Sequence, residues 1–137
     1  VDPVAGALRE LGCEKALVVH GAGGLDEVSA AGKDANHVAT LSHGVITRQT
    51  ATIEGPPHPD LRGGTAQENA AEMRALLEGR GRPGHRAAVL INAAAALVAA
   101  GRAEDVSEAH TRATESLDSG AAKAALEKLI AVTARAP

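Results

Sequence analysis

The stretch Ala16-Leu-Val-Val-His20-Gly-Ala-Gly-Gly-Leu-Asp26-Glu-Val-Ser29 decides the fold class. Its apolar start is typical of a buried strand, because a strand with one wet face would alternate apolar and polar residues. The preceding residues 2–12 have an apolar 3.6-residue repeat between Asp2-Pro3 and Gly12, which predicts a helix. A helix that leads into such a strand indicates an α/β arrangement. We therefore predict an α/β fold: a partial, mostly parallel sheet with flanking helices and a helical C-terminal third.

Composition limits both the size and the partners of the protein. With 137 residues, the chain is expected to form a single domain over residues 1–137. Its 31 alanines and the complete lack of Phe, Tyr and Trp predict a thin core and exclude aromatic stacking on bases. The formal net charge of −3 argues against attraction to nucleic acid or to an anionic membrane.

Targeting features are lacking in the sequence. Cys13 is the only cysteine, so no intramolecular disulfide can form. The longest apolar run, 87–100, is interrupted by Asn92 and is too short to span a bilayer. No basic and apolar leader opens the chain, and we predict a cytoplasmic location. Because the chain begins at Val1 without a methionine, we expect it to be a segment of a longer protein.

Further elements are predicted from turn and capping signals. Residues 37–53 have a strand-like pattern with a turn at His43-Gly44. Thr65 and Glu68 form a capping box that opens a helix, and the apolar residues 86–100 predict another, enclosed helix. In a final helix, Leu126, Leu129 and Ile130 are expected to face inward.

Adjacent carboxylates at Asp26 and Glu27 are the sharpest chemical feature. They follow a strand and a glycine-rich turn, and hard divalent cations such as Mg²⁺ take carboxylate oxygens as ligands. Spacing alone leaves the interpretation open, since two acids in a loop are more often simply solvated. The 62–65 turn is an anion candidate that we interpret as structural, and His20 is the one histidine placed where α/β proteins bind ligands.

The stretch 16–29 resembles anthranilate phosphoribosyltransferases. The resemblance extends back through residues 8–12 and forward through three blocks: Leu61-Arg-Gly-Gly-Thr-Ala-Gln-Glu-Asn-Ala70, Val89-Leu-Ile-Asn-Ala-Ala-Ala-Ala-Leu97 and Leu117-Asp-Ser-Gly120. These blocks occur in the family's order and cover nearly the whole chain. As a group they are specific, although each block alone is weak.

The resemblance implies a glycosyltransferase of tryptophan biosynthesis. Such enzymes join anthranilate to the ribosyl group of phosphoribosyl pyrophosphate (PRPP) and release pyrophosphate, with Mg²⁺ as cofactor. It implies that Asp26 and Glu27 hold the Mg²⁺, and that the other blocks are scaffold. The chain matches only the C-terminal part of the family's α/β domain, without the G-T-G-G-D loop that binds PRPP. We therefore expect this chain alone to be inactive, so that its status as an enzyme depends on the remaining part.

Two alternatives remain open on the sequence. One is a non-catalytic module on the same scaffold, which would self-associate through the edges that truncation exposes. We expect a homo-oligomer in either case. The other is a related nucleoside phosphorylase, whose phosphate-binding motifs would also lie outside this segment.

Overall fold

The chain folds as a small antiparallel sheet and a set of helices, seen in a computed structural model that describes residues 1–30, 36–51 and 61–134. A two-residue turn at His43 and Gly44 joins the second and third strands, and both residues have positive φ, 45° and 81°. This backbone matches the twist of an antiparallel hairpin, and glycine adopts it without steric cost. The turn predicted from the sequence is thus confirmed. The elements are the helices α1 (Asp2–Glu10), α2 (Ala66–Leu77), α3 (Pro83–Ala99), α4 (Val106–Asp118) and α5 (Ala121–Thr133), the strands β1 (Lys15–His20), β2 (Asn36–Ser42) and β3 (Val45–Ala51), and a 3-10 turn (Ala22–Gly24).

The prediction of a mostly parallel sheet is wrong for the described residues. The strand order is β1-β2-β3, and both neighbouring pairs are antiparallel. A parallel pair needs a crossover of a dozen or more residues, usually a helix. The tight His43-Gly44 turn excludes such a crossover between β2 and β3, and the described residues between β1 and β2 contain only the 3-10 turn. The broader prediction, a mixed α/β fold with a helical C-terminal third, is confirmed.

Two small apolar clusters form part of the core. One contains Val28, Ala30 and Ile91, and the other contains Leu90 and residues of α4. The only large side chains that are almost fully buried among the described residues are Leu41 and Asn36. A core built from alanine and a few aliphatic residues is what the composition predicts.

The first helix differs in detail from the sequence prediction. Asp2 makes no cap hydrogen bond; its Oδ1 instead accepts a hydrogen bond from Arg48 Nε at 2.8 Å. Gly12 has φ 80° and donates its N–H to the Arg9 carbonyl, which ends the helix in the left-handed conformation that glycine favours. Ala5 is the buried residue of α1, whereas Leu11 is 83% exposed. The apolar repeat thus located the helix but not its buried face.

The C-terminal helices leave apolar side chains uncovered. On α5, Leu129 and Ile130 are 59% and 45% exposed, so their predicted inward position is wrong. The main contacts of α5 in the described part of the chain are with α4 and α2, and they leave these two side chains uncovered. The third helix begins at Pro83, earlier than predicted, and it leaves Val89 exposed. No helix in the described part of the chain is both long and apolar enough to cross a membrane.

Candidate metal centre

The loop that carries Asp26 and Glu27 turns back on the end of β1. Gly21 donates its N–H to the Leu25 carbonyl at 2.8 Å, and Gly23 and Gly24 have φ of 77° and 85°. A Cβ on Gly21 would collide with the Glu27 carbonyl oxygen and touch Leu25 Cβ. Glycine at this position therefore permits the close approach that brings the acidic pair beside the strand end.

The two carboxyls lie close enough to share a hydrogen bond. The hydrogen bond that the Glu27 carboxyl donates to Asp26 when it is protonated is the largest cause that raises the pKa of Glu27, and partial burial and the negative charge of Asp26 raise it further. A pair of like charges held together favours either a shared proton or a bound cation. Asp26 is exposed and Glu27 is half-buried, so a ligand can reach both.

Asn92 on α3 fixes the backbone immediately after the acidic pair. Its Oδ1 accepts a hydrogen bond from Val28 N at 2.8 Å, and its Nδ2 donates to Val28 O at 2.9 Å. Nδ2 also donates to Ala88 O in its own helix at 2.9 Å, which orients the amide. Both backbone polar groups of the buried Val28 are therefore satisfied by one side chain.

Asn36, the first residue of β2, does the same for the next residue. Ser29 N donates to Asn36 Oδ1 at 2.7 Å, and Asn36 Nδ2 donates to Ser29 O at 3.1 Å. The same Nδ2 reaches Ala51 O at 3.2 Å, which ties the loop to the hairpin. Two asparagines from different elements thus hold residues 28 and 29, and the position of Glu27 is set by them.

The sequence indicates a structural role for Asn92 but not for Asn36. Asn92 lies in one of the motif blocks and interrupts an apolar run, which is a signal that a polar group is needed inside. Asn36 has no such signal, because an isolated asparagine before a strand is typical of a turn. Its role becomes visible only in the structure, where it is 1% exposed.

Hydrogen bonds within the chain hold the 62–65 turn, in agreement with the structural role interpreted from the sequence. Glu68 N donates to Thr65 Oγ1 at 3.3 Å, and Glu68 Oε2 accepts from Thr65 N at 2.8 Å, which is the predicted capping box. Asn69 Oδ1 accepts from Gly64 N at 2.8 Å. These donors at the start of α2 are therefore already used.

His20 does not reach the acidic pair through any hydrogen bond among the described residues, but it stacks on His37. The two rings have centroids 6.4 Å apart. His58 lies outside the described residues. Within residues 1–30, 36–51 and 61–134, no group of three or more His, Cys, Asp or Glu side chains is arranged to hold a metal ion.

The donor set at Asp26 and Glu27 fits Mg²⁺. Mg²⁺ keeps several waters and is usually held by one or two carboxylates together with substrate phosphates, rather than by a complete cage of protein ligands. Two adjacent oxygen-bearing side chains on a fixed, open loop meet that requirement. Soft or borderline metals would need nitrogen or sulfur ligands, and neither Asp26 nor Glu27 provides them.

Comparison with known proteins places the fold and this loop in a family. Residues 1–123 match the family described as "Glycosyl transferase family, a/b domain", and the chain belongs to it. Among its relatives is an anthranilate phosphoribosyltransferase of Rhodopseudomonas palustris (strain TIE-1), 48% identical, with 99% of this chain and 41% of that protein covered. Another of the same name, from Rhodospirillum rubrum, is 45% identical, with 96% and 39% covered.

A solved structure agrees with the sequence relatives. The crystal structure of anthranilate phosphoribosyltransferase from Thermus thermophilus superposes with a TM-score of 0.80 at 36% identity, covering 95% of this chain and 39% of that one. The resemblance drawn from the motif blocks is thereby confirmed. This chain spans about two fifths of the length of these relatives.

Proposed function

We propose that this chain is the C-terminal segment of an anthranilate phosphoribosyltransferase-like α/β domain, over residues 1–137, and that it contributes the metal-holding loop to the reaction. The observation that carries the proposal is the loop itself. Its carboxylate pair follows a glycine-rich turn, and hydrogen bonds to Asn92 and Asn36 hold the backbone immediately after the pair. The complete reaction transfers phosphoribosyl from PRPP to anthranilate.

The chemistry assigned to the loop is electrostatic. Asp26 and Glu27 would hold the Mg²⁺, and the ion would supply neutralisation of the negative charge on the pyrophosphate leaving group. Asn92 and Asn36 keep the loop backbone from moving, so that the carboxylates are preorganised rather than drawn together during the reaction. Among the described residues, the motifs identify no other group that would bind a substrate. Positioning of both substrates therefore depends on the remaining part of the protein.

Metal affinity tests the role of the acidic pair. In the protein reassembled with the rest of its α/β and helical regions, calorimetric titration with magnesium pyrophosphate should show weaker binding for Asp26→Asn/Glu27→Gln. The double variant Glu115→Gln/Glu127→Gln is the control, because it removes the same charge from exposed helix positions. Equal affinity of the acidic-pair variant and the unchanged protein would disprove the metal role.

Complementation tests the proposed reaction separately. This chain incubated with anthranilate, PRPP and Mg²⁺ should give no turnover, and turnover should appear when the remaining part is supplied in trans. Turnover by this chain alone would refute its predicted inactivity. No turnover in a mixture whose assembly has been demonstrated by sedimentation would refute the proposed transferase.

We also place the protein in the cytoplasm and infer that it self-associates. Self-association is supported by exposed apolar side chains on α1, α4 and α5. No observation in the fold or the relatives favours the alternative of a non-catalytic module, and the nucleoside phosphorylase alternative has no specific support either.

A further inference from the structure

Two histidines from neighbouring strands come together at one end of the sheet. His20, the last residue of β1, lies directly opposite His37 of β2 in the antiparallel register. Their rings are nearly parallel, with an interplanar angle of 19° and centroids 6.4 Å apart, and both side chains are exposed. No helical i, i+4 spacing relates them, so the pairing is a product of the strand register.

The two histidines lie in a cavity whose cationic side chain is already paired with a carboxylate. A cavity of about 380 Å³ is lined by both histidines and by Asp2, Arg48 and Thr50. Arg48 is the cationic side chain in this lining, and its guanidinium is engaged by Asp2 at 2.8 Å. This ion pair offsets the charge that would otherwise repel a metal ion.

We propose that His20 and His37 form a two-imidazole site for a borderline transition-metal cation, with Zn²⁺ and Cu²⁺ as the representative ions. Imidazole nitrogen is a preferred ligand of both ions. Side chains opposite each other across antiparallel strands have Cβ atoms about 4.5–5.5 Å apart, and rotation of two exposed rings then brings one nitrogen of each to a common ion. Water completes the coordination, because the described residues offer no third His, Cys, Asp or Glu in ligating geometry.

This site is chemically distinct from the acidic pair. Asp26 and Glu27 offer only oxygen and fit Mg²⁺, whereas His20 and His37 offer nitrogen, which Mg²⁺ binds poorly. Excess Mg²⁺ should therefore leave the histidine site open to Zn²⁺. The two proposals can fail independently, because each uses different ligands and a different ion.

Calorimetric titration of the complete 137-residue chain with ZnCl₂, in excess Mg²⁺, measures the site directly. The unchanged chain should bind one Zn²⁺, and His20→Asn or His37→Asn should each weaken binding by at least about tenfold, since a chelate becomes a single ligand. His43→Asn is the matched control. It removes an exposed histidine from the same sheet, and asparagine tolerates the positive φ of that turn.

Electron paramagnetic resonance with Cu²⁺ counts the ligands in the same proteins. Hyperfine structure from two imidazole nitrogens is expected in the unchanged chain and from one in either variant, with circular dichroism showing that each variant is folded. Unchanged Zn²⁺ affinity in folded His20→Asn and His37→Asn would overturn the proposal. An equal loss in His43→Asn would overturn it too, because binding would then be a general property of surface histidines.

Discussion

Gly21 is the residue at which a single added carbon should displace the acidic loop. Its φ of −74° is open to any residue, so the constraint is space and not backbone strain. In Gly21→Ala the new Cβ meets the backbone carbonyl of Glu27, which cannot rotate away. We expect a loss of roughly 1–3 kcal/mol in the free energy of unfolding, typical of overpacking, measured by urea denaturation.

Gly6→Ala is the control for that substitution. Gly6 lies within α1, and nothing lies within 4 Å of an added Cβ there. Alanine is favoured over glycine in a helix interior, so this variant should gain roughly 0.5–1 kcal/mol. If Gly21→Ala were as stable as the unchanged protein, the close contact between Gly21 and Glu27 would not be essential to the loop.

Asn92→Leu should show how much the hydrogen bonds of this partly buried asparagine contribute to the free energy of unfolding, apart from the space that its side chain fills. The variant leaves Val28 N–H and C=O without their partner, and each such orphaned group costs about 1–3 kcal/mol. Asn69→Leu is the comparison, because Asn69 makes the same two bonds to Gly64 in an exposed turn where water replaces them. Urea denaturation should show the larger loss for Asn92→Leu. Equal losses would contradict the importance of burial.

At the level of elements, turn and capping signals in the sequence predicted the features that depend only on residues close together in the chain. The hairpin followed from His43-Gly44 and the start of α2 from the capping box. Strand direction was missed because it depends on how the chain returns after β1, which an apolar run does not encode. The buried residue of α1 was missed, and Leu129 and Ile130 of α5 were wrongly expected to face inward, for a related reason: burial depends on neighbours and not on periodicity alone.

An ion pair between α2 and α5 should make their contact sensitive to acid. Lys123 Nζ lies 3.0 Å from Glu78 Oε1, and its hydrogen bond, followed by that of Arg80, lowers the pKa of Glu78 below the usual 4.5. A lowered folded-state pKa stabilises the protein above the unfolded value, and this stabilisation is lost as pH falls through the folded value. The contact should therefore weaken only below about pH 4.5.

Carboxyl ¹³C shifts, followed by NMR during an acid titration, measure this effect. The Glu78 midpoint should lie below 4.5 in the unchanged chain and move upward in Lys123→Met, which removes the largest cause of the shift. Lys128→Met is the control, because Lys128 is exposed on the same helix and has no ion-pair partner in the part of the chain that the structure describes. A Glu78 midpoint that stays in place in Lys123→Met would rule out the ion pair as its cause.

For the whole molecule, the site was predicted in part. The acidic pair was singled out from its place after the glycine turn, but its proposed magnesium role came from a resemblance, because two adjacent acids alone do not separate a metal site from a solvated loop. The structure adds the reason why these two are positioned, namely Asn92 and Asn36, which bring α3 and β2 to the same loop. The His20–His37 pair was beyond sequence reasoning, because it required the register of β1 against β2.

Self-association is a property of the whole chain that can be tested directly. No described residue of α5 is buried, although the helix contains Leu129, Ile130 and Val132, which are 59%, 45% and 61% exposed. Apolar surface left uncovered on one helix favours contact with a second copy. Sedimentation velocity should therefore show a weight-average mass that rises with concentration, and Leu129→Lys/Ile130→Lys should reduce that rise while circular dichroism shows the helices intact.

A control variant shows which helix forms the contact between copies of the chain. Leu11→Lys changes an even more exposed leucine, 83% accessible, at the end of α1, and it should leave association unchanged if α5 forms the contact. A loss of association in Leu11→Lys alone would move the interface to α1. A monomer at every concentration would remove the homo-oligomer altogether, and the exposed apolar side chains would then have to be covered by the remaining part of the protein.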